Sequence, residues 1–232
     1  MRIAYIGPQG RNEILQSWAS PGVTVATRDA NFGGAIESMY DEYLYIPGML
    51  KAVVEIEKEG FDAAILGCFG DPGLDGVREL VRMPVVGLAE TAFHVVSTLA
   101  DTFAVITATG DLTRHMRRLA ERYHLEKHLV GVTDIACPIM EIRRNPDAQY
   151  PNLLAAGRRM VEEGGADSLV LGCGSMSFFA ERLQEDLGLP CINPLRVGLR
   201  MCELLVGSGL THSKRSHPFP SSLRLNLVSE QS

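Results

Sequence analysis

The chain has 232 residues, 46% of them apolar and 22% charged, enough to bury a real core as one large domain or two small ones. Its net charge of −6, without any basic stripe, argues against nucleic acid or an anionic membrane as partner. No apolar run approaches the roughly 20 residues a bilayer span needs, and the first residues enter a strand rather than a leader segment, so the cytoplasm is the expected compartment.

In chain order, short apolar runs alternate with longer amphipathic ones. Strands are predicted near 2–6, 23–26, 63–66, 85–87, 104–107, 129–132, 168–171 and 191–192. Helices are predicted between them, most clearly over 47–59, 90–99, 112–123, 152–163, 177–187 and 197–205. This alternation predicts an α/β protein with mainly parallel sheets flanked by helices. The fully apolar Ala63-Ala64-Ile65-Leu66 suits a strand covered on both faces.

One local pattern occurs twice. Glu59-Gly60, a small apolar strand and Gly67-Cys68 are followed later by Glu163-Gly164, a similar strand and Gly172-Cys173. Cys173 stands 105 residues after Cys68, and Asp167 stands 105 after Asp62. Pro190 follows Pro84 by 106, and Phe103–Gly110 matches Ile3–Gly10 at 100. The near-constant register predicts two pseudo-symmetric lobes, residues 1–98 and 99–206. The stretch from 207 to 232, rich in Ser and Pro towards its end, is expected to pack back on the first lobe or to be partly disordered. Ligands of parallel sheets bind beyond the carboxyl ends of the strands, so a shared cleft between the lobes is the expected active site.

Two thiols at equivalent strand ends fit a reaction that needs a base on one face of a substrate and an acid on the other. A free thiol is only a few per cent thiolate at pH 7, and N–H groups at the start of a helix raise that fraction. Cys68 precedes a helix expected from Leu74, and Cys173 precedes one with Ser175 or Ser177 as possible cap. The small residues Gly70, Gly73, Gly174 and Ser175 would let main chain approach a ligand closely, and Gly67 and Phe69 beside Cys68 are further substrate-binding candidates. Thr107 and Thr109 match Gly7 and Gln9 in the repeat, and could serve a ligand oxygen or a turn. Asn193 ends a strand and could do likewise. Glu37, Asp41 and Glu42 could line a cleft or cap the helix after them, and Tyr40, Tyr43 and Tyr45 could shape a pocket or a subunit contact. Cys137, Cys191 and Cys202 read as core thiols. There is no Cys-x-x-Cys pair, Walker motif, dinucleotide-binding glycine pattern or His-Glu-x-x-His, and none of the four lysines ends a buried strand. The expected partner is a small molecule, in a homo-oligomer with no cofactor and no metal. A two-lobed binding protein without turnover, and a thiol peroxidase or redox sensor, are the alternatives from other classes.

Gly67-Cys68-Phe69-Gly70-Asp71-Pro72-Gly73-Leu74 resembles the first cysteine motif of the hydantoin racemases, within the aspartate/glutamate racemase superfamily. Val170-Leu171-Gly172-Cys173-Gly174-Ser175-Met176 is similar to the second. Segments around Ile36–Pro47 and Gly209–Arg215 extend the likeness over almost the whole chain. The resemblance implies cofactor-independent racemisation of five-substituted hydantoins, with Cys68 and Cys173 as the two acid/base groups. Allantoin or amino-acid racemisation on the same scaffold is the neighbouring reading. The chain departs from the superfamily pattern at Gly7-Pro8-Gln9, Gly174-Ser175 and Asn193-Pro194.

Overall fold

The structure is a computed structural model describing residues 1–30 and 33–222. The chain divides into two compact units. The first takes Met1–Gly34, Met39–Gly87 and the chain from Gly198; the second takes Ala35–Ser38 and Leu88–Val197.

In the first unit β1 (Arg2–Ile6), α1 (Asn12–Trp18), β2 (Thr24–Arg28), α2 (Met39–Lys58), β3 (Ala63–Leu66), α3 (Leu74–Leu80) and β4 (Val85–Val86) follow in turn. The strands form a parallel sheet of order β2-β1-β3-β4. β3 is buried at all four residues, as its uniformly apolar sequence predicts for a central parallel strand. Ile3, Ile6, Leu66, Met49 and Ile56 are fully buried together in this unit's core.

α2 starts eight residues before the expected Pro47, which lies inside the helix. The helix runs so close to the main chain of Ala30 that a Cβ on Gly48 would lie 1.9 Å from the Ala30 carbonyl oxygen. Packing by Tyr45, Met49, Val53 and Ile56 outweighs the one main-chain hydrogen bond proline forgoes.

The second unit holds α4 (Leu88–Val96), β5 (Phe103–Thr107), a 3₁₀ turn (Gly110–Leu112), α5 (Thr113–Arg122), β6 (Leu129–Asp134), α6 (Ile139–Arg144), α7 (Pro146–Glu162), β7 (Leu169–Leu171), a 3₁₀ segment (Gly174–Phe179), α8 (Ala180–Leu187) and β8 (Cys191–Ile192). Its parallel sheet has the order β6-β5-β7-β8, the first sheet's order repeated. Equivalent residues also make equivalent bonds. Ala64 N–H donates to the Pro84 carbonyl at 3.0 Å, and Leu169 N–H donates to the Pro190 carbonyl at 2.9 Å. The doubled sequence pattern is therefore a doubled sheet.

The division falls at 87/88, not at the expected 98/99. α4 belongs to the second unit because Phe93 is fully buried against Phe103 of β5 (ring centroids 5.3 Å apart) and Tyr123 (6.3 Å). α9 (Pro194–Gly207) starts in the second unit and ends in the first, so the expected boundary at 206/207 shifts to 197/198. The short helices α1 and α6 are additions to the expected set, and α7 begins six residues before the expected start at 152, with Pro151 inside it.

The described part of the C-terminal stretch packs on the first unit. Thr211 donates to the Arg82 carbonyl, and Lys214 Nζ donates to the Arg78 carbonyl at 2.6 Å, near the end of α3. Arg82 and Lys214 sit 4.8 and 4.0 Å from the Phe219 ring centre. The expectation of partial disorder falls on 223–232, outside the described residues.

Candidate active site

Each sheet reverses its direction of winding beside its first strand. The loops after β1 and β3, and those after β5 and β7, therefore bracket the position where parallel sheets receive ligands. Both cysteines occupy these loops.

In the first unit Gly67 N–H donates to the Ile6 carbonyl at 2.7 Å. The Tyr5 hydroxyl lies 3.4 Å from the Gly67 carbonyl oxygen. Tyr5 explains both nearby glycines: a Cβ at Gly7 would lie 2.8 Å from its ring, and one at Gly67 would lie 2.6 Å from its hydroxyl. Cys68 follows, half-buried, and its carbonyl accepts the N–H of Asp71 at 3.2 Å. Asp71 takes a left-handed conformation (φ 49°) and is almost fully buried, as are Phe69 and Gly70 beside it. Tyr45 donates to the Ile6 carbonyl at 2.9 Å. Burial pushes its hydroxyl pKa well above the usual tyrosine value, with the neighbouring Cys68, Tyr5 and Asp29 adding to the shift. Of the three candidate tyrosines, Tyr45 is buried and belongs to this half-site; Tyr40 and Tyr43 are exposed. Gln9 is exposed, and Gly7 donates its N–H to the Arg28 carbonyl at 2.9 Å.

In the second unit Gly172 N–H donates to the Ile106 carbonyl at 2.8 Å. Cys173, 8% exposed, caps the 3₁₀ segment: its Sγ accepts the N–H of Ser175 at 3.4 Å. An N–H aimed at sulfur favours the thiolate. The Ser175 hydroxyl accepts from Arg143 Nε at 3.0 Å. The register sets Ile106 opposite Leu171, which brings Thr107 level with Gly172.

The hydroxyls of Thr107, Thr109 and Ser177 are buried and have no hydrogen-bond partner among the described residues. Leaving such a group unpaired costs about 1–3 kcal/mol. Native proteins tolerate few of these, and the positions where they persist call for an explanation, of which a bound ligand is one.

Two other candidates hold up the scaffold. Asn193 Oδ1 accepts the N–H of Arg196 at 3.0 Å, capping α9, and its Nδ2 donates to the Ser177 carbonyl at 2.9 Å. Glu37 accepts the N–H of Ile139, the first residue of α6. It therefore caps a helix about a hundred residues away in the chain. Burial pushes the Cys191 thiol up to about 12 and raises that of Cys202 as well, so these two are core groups. Arg143 carries no signal in the sequence: it is one of two adjacent arginines at the end of a short helix. Asp71, buried in the same loop as Cys68, is signalled in the sequence only by its place inside Gly67–Leu74.

Among the described residues no group of three or more His, Cys, Asp or Glu could hold a metal ion, and no helix is long and apolar enough to cross a membrane.

The class that the fold and site define is a duplicated, doubly wound α/β protein with a glycine-cysteine strand end in each repeat. The family model described as Asp/Glu/Hydantoin racemase matches residues 10–202, and the chain belongs to that family. It is an isomerase, a racemase. A protein named hydantoin racemase from Pseudomonas sp. (strain NS671) is 33% identical over 95% of this chain and 92% of its own length. Another of that name, from Paenarthrobacter aurescens, is 34% identical over 92% of this chain and 94% of its own. The solved allantoin racemase from Klebsiella pneumoniae superposes with a TM-score of 0.92 at 28% identity, covering 98% of both chains. Arylmalonate decarboxylase shares the fold alone, with a TM-score of 0.67 at 18% identity.

Proposed function

We propose that this racemase inverts the C5 centre of five-substituted hydantoins without a cofactor, using Cys68 and Cys173 as the two acid/base groups. The observation that carries the reading is the equivalence of the two strand ends. Each sheet delivers one cysteine through a glycine whose N–H is tied to the carbonyl of an isoleucine, Ile6 or Ile106.

One thiolate takes the C5 proton. The electron pair moves into the adjacent ring carbonyl as an enolate, and the other thiol returns a proton to the opposite face. Roles exchange for the other enantiomer. Donors aimed at the enolate oxygen are worth most in the transition state. The hydroxyls of Thr107, Thr109 and Ser177, with main chain from Gly67 to Gly70 and Gly174 to Ser175, are assigned to the ring's polar edge. Gly7 and Gln9 are assigned to the equivalent edge of the first unit, and Phe69 to the side-chain end of the substrate. Glu37 and Asn193 support the site through the helices they cap. We take the enzyme to act as a homo-oligomer in the cytoplasm.

Allantoin is the second substrate reading, favoured by the likeness to the Klebsiella pneumoniae allantoin racemase. Optical rotation followed with a hydantoin, allantoin, aspartate and glutamate separates the substrates. C68S and C173S are each expected to abolish racemisation of the accepted one, while exchange of its proton with solvent deuterium persists from one enantiomer only. Full racemisation by either variant would sink the two-thiol reading.

A further inference from the structure

The two half-sites are not chemically alike. Arg143, half-buried near the end of α6, donates its Nε–H to the hydroxyl of Ser175 at 3.0 Å. Ser175 is 3% exposed, and its main-chain N–H donates to Cys173 Sγ at 3.4 Å. Arg143's only other bond among the described residues runs from Nη1 to the soft Met140 sulfur at 3.7 Å. The neighbouring Arg144, by contrast, pairs with Glu141. A half-buried guanidinium without a carboxylate partner leaves its charge to act on what lies near it.

We propose that Arg143 is the positioning residue of the Cys173 half-site: it holds Ser175 so that the serine N–H points at the sulfur, and its positive charge stabilises the thiolate. The inference rests on the assignment of Cys173 to the chemistry. The elements packed on the 3₁₀ segment carry other charges that could compete. On α6 Glu141 is held by Arg144, and Glu37 accepts the first N–H of that helix. On α8 Glu181 is held by Arg196, and Asp186 accepts from Tyr150. Arg143 is thus the cation whose only hydroxyl partner is in the cysteine's own loop.

The test is the pH dependence of alkylation of the full protein by iodoacetamide, resolved by mass spectrometry to the peptides of Cys173 and Cys68. R143Q is expected to raise the Cys173 midpoint by about one pH unit, which slows its alkylation roughly tenfold at neutral pH. The Cys68 midpoint stays put. R143K, which keeps the charge but lacks the planar fork, falls between. kcat is expected to fall about tenfold in R143Q with KM within about twofold. An unmoved Cys173 midpoint, or an equal shift at both cysteines, overturns the proposal. If R143Q does not fold, S175A and R143K decide: S175A removes the acceptor but keeps the main-chain N–H, and an unmoved midpoint in both variants overturns it equally. The alkylation midpoints do not depend on turnover, so a C173S enzyme that still racemises would overturn the two-thiol reading by a separate measurement.

Discussion

Gly172 and Ile106 are joined by a 2.8 Å main-chain hydrogen bond whose counterpart in the first unit joins Gly67 to Ile6 at 2.7 Å. Strand end and cysteine loop are thus fastened in the same way twice, and neither glycine has room for a side chain. A Cβ on Gly172 would lie 2.8 Å from Val105 Cγ1 and 3.2 Å from the Ile106 oxygen. One on Gly67 would lie 2.7 Å from the Ile6 oxygen and 2.6 Å from the Tyr5 hydroxyl. The Val105 methyl can give way more readily than a strand carbonyl. G172A is therefore expected to cost about 1–2 kcal/mol and G67A about 3 kcal/mol. Thermal melts of the two variants check the order; G172A melting lower than G67A would contradict it.

Thr107 is fully buried, and its hydroxyl has no hydrogen-bond partner among the described residues. T107V keeps the shape and removes the orphaned group. Stability is expected to stay level or rise by up to about 1 kcal/mol, while kcat/KM falls about 10- to 100-fold. Urea denaturation alongside turnover measures both. A variant that loses stability and keeps its activity would show the hydroxyl to be structural.

Asn193 should behave in the opposite way. N193A loses the α9 cap and leaves the Ser177 carbonyl without its donor, at a cost of about 2 kcal/mol. N193D restores an acceptor for the Arg196 N–H but sets a carboxylate against that carbonyl, so chemical denaturation is expected to show only partial recovery. Full recovery would mean that the Ser177 bond contributes nothing.

The protein is expected to lose stability in alkali. Burial raises Cys191 from 9.0 to about 12, and burial, followed by the hydrogen bond and charge of Asp186, raises Tyr150 from 10.0 to about 12. Tyr45 and Cys202 are raised as well, chiefly by burial. Each group holds its proton more tightly folded than unfolded. Their stabilisation is complete below the unfolded values and drains away as pH climbs from about 9 towards 12, because unfolding then releases protons. Denaturation curves at pH 8 to 11 follow the loss. C191A, lacking one of these groups, is expected to show a shallower slope over that window, and an unchanged slope would remove Cys191 from the account.

The sequence by itself determined the alternation of strands and helices, the doubling of the scaffold and the delivery of a cysteine at the end of one central strand in each repeat. Those features rest on short-range physics: apolar runs that suit a covered parallel strand, glycine where a chain must pass close, and a spacing that repeats. Tertiary structure decided the rest. Pro47 stays inside α2 because burial of that helix outweighs one lost hydrogen bond, and α4 leaves the first unit because Phe93 packs on Phe103. Glu37 and Asn193 became caps, Thr107 and Ser177 were left with hydroxyls unpaired among the described residues, and Arg143 was brought to Ser175, through contacts as far as 102 residues apart in the chain. Such partnerships follow from sheet register and helix packing, which no local pattern of residues encodes.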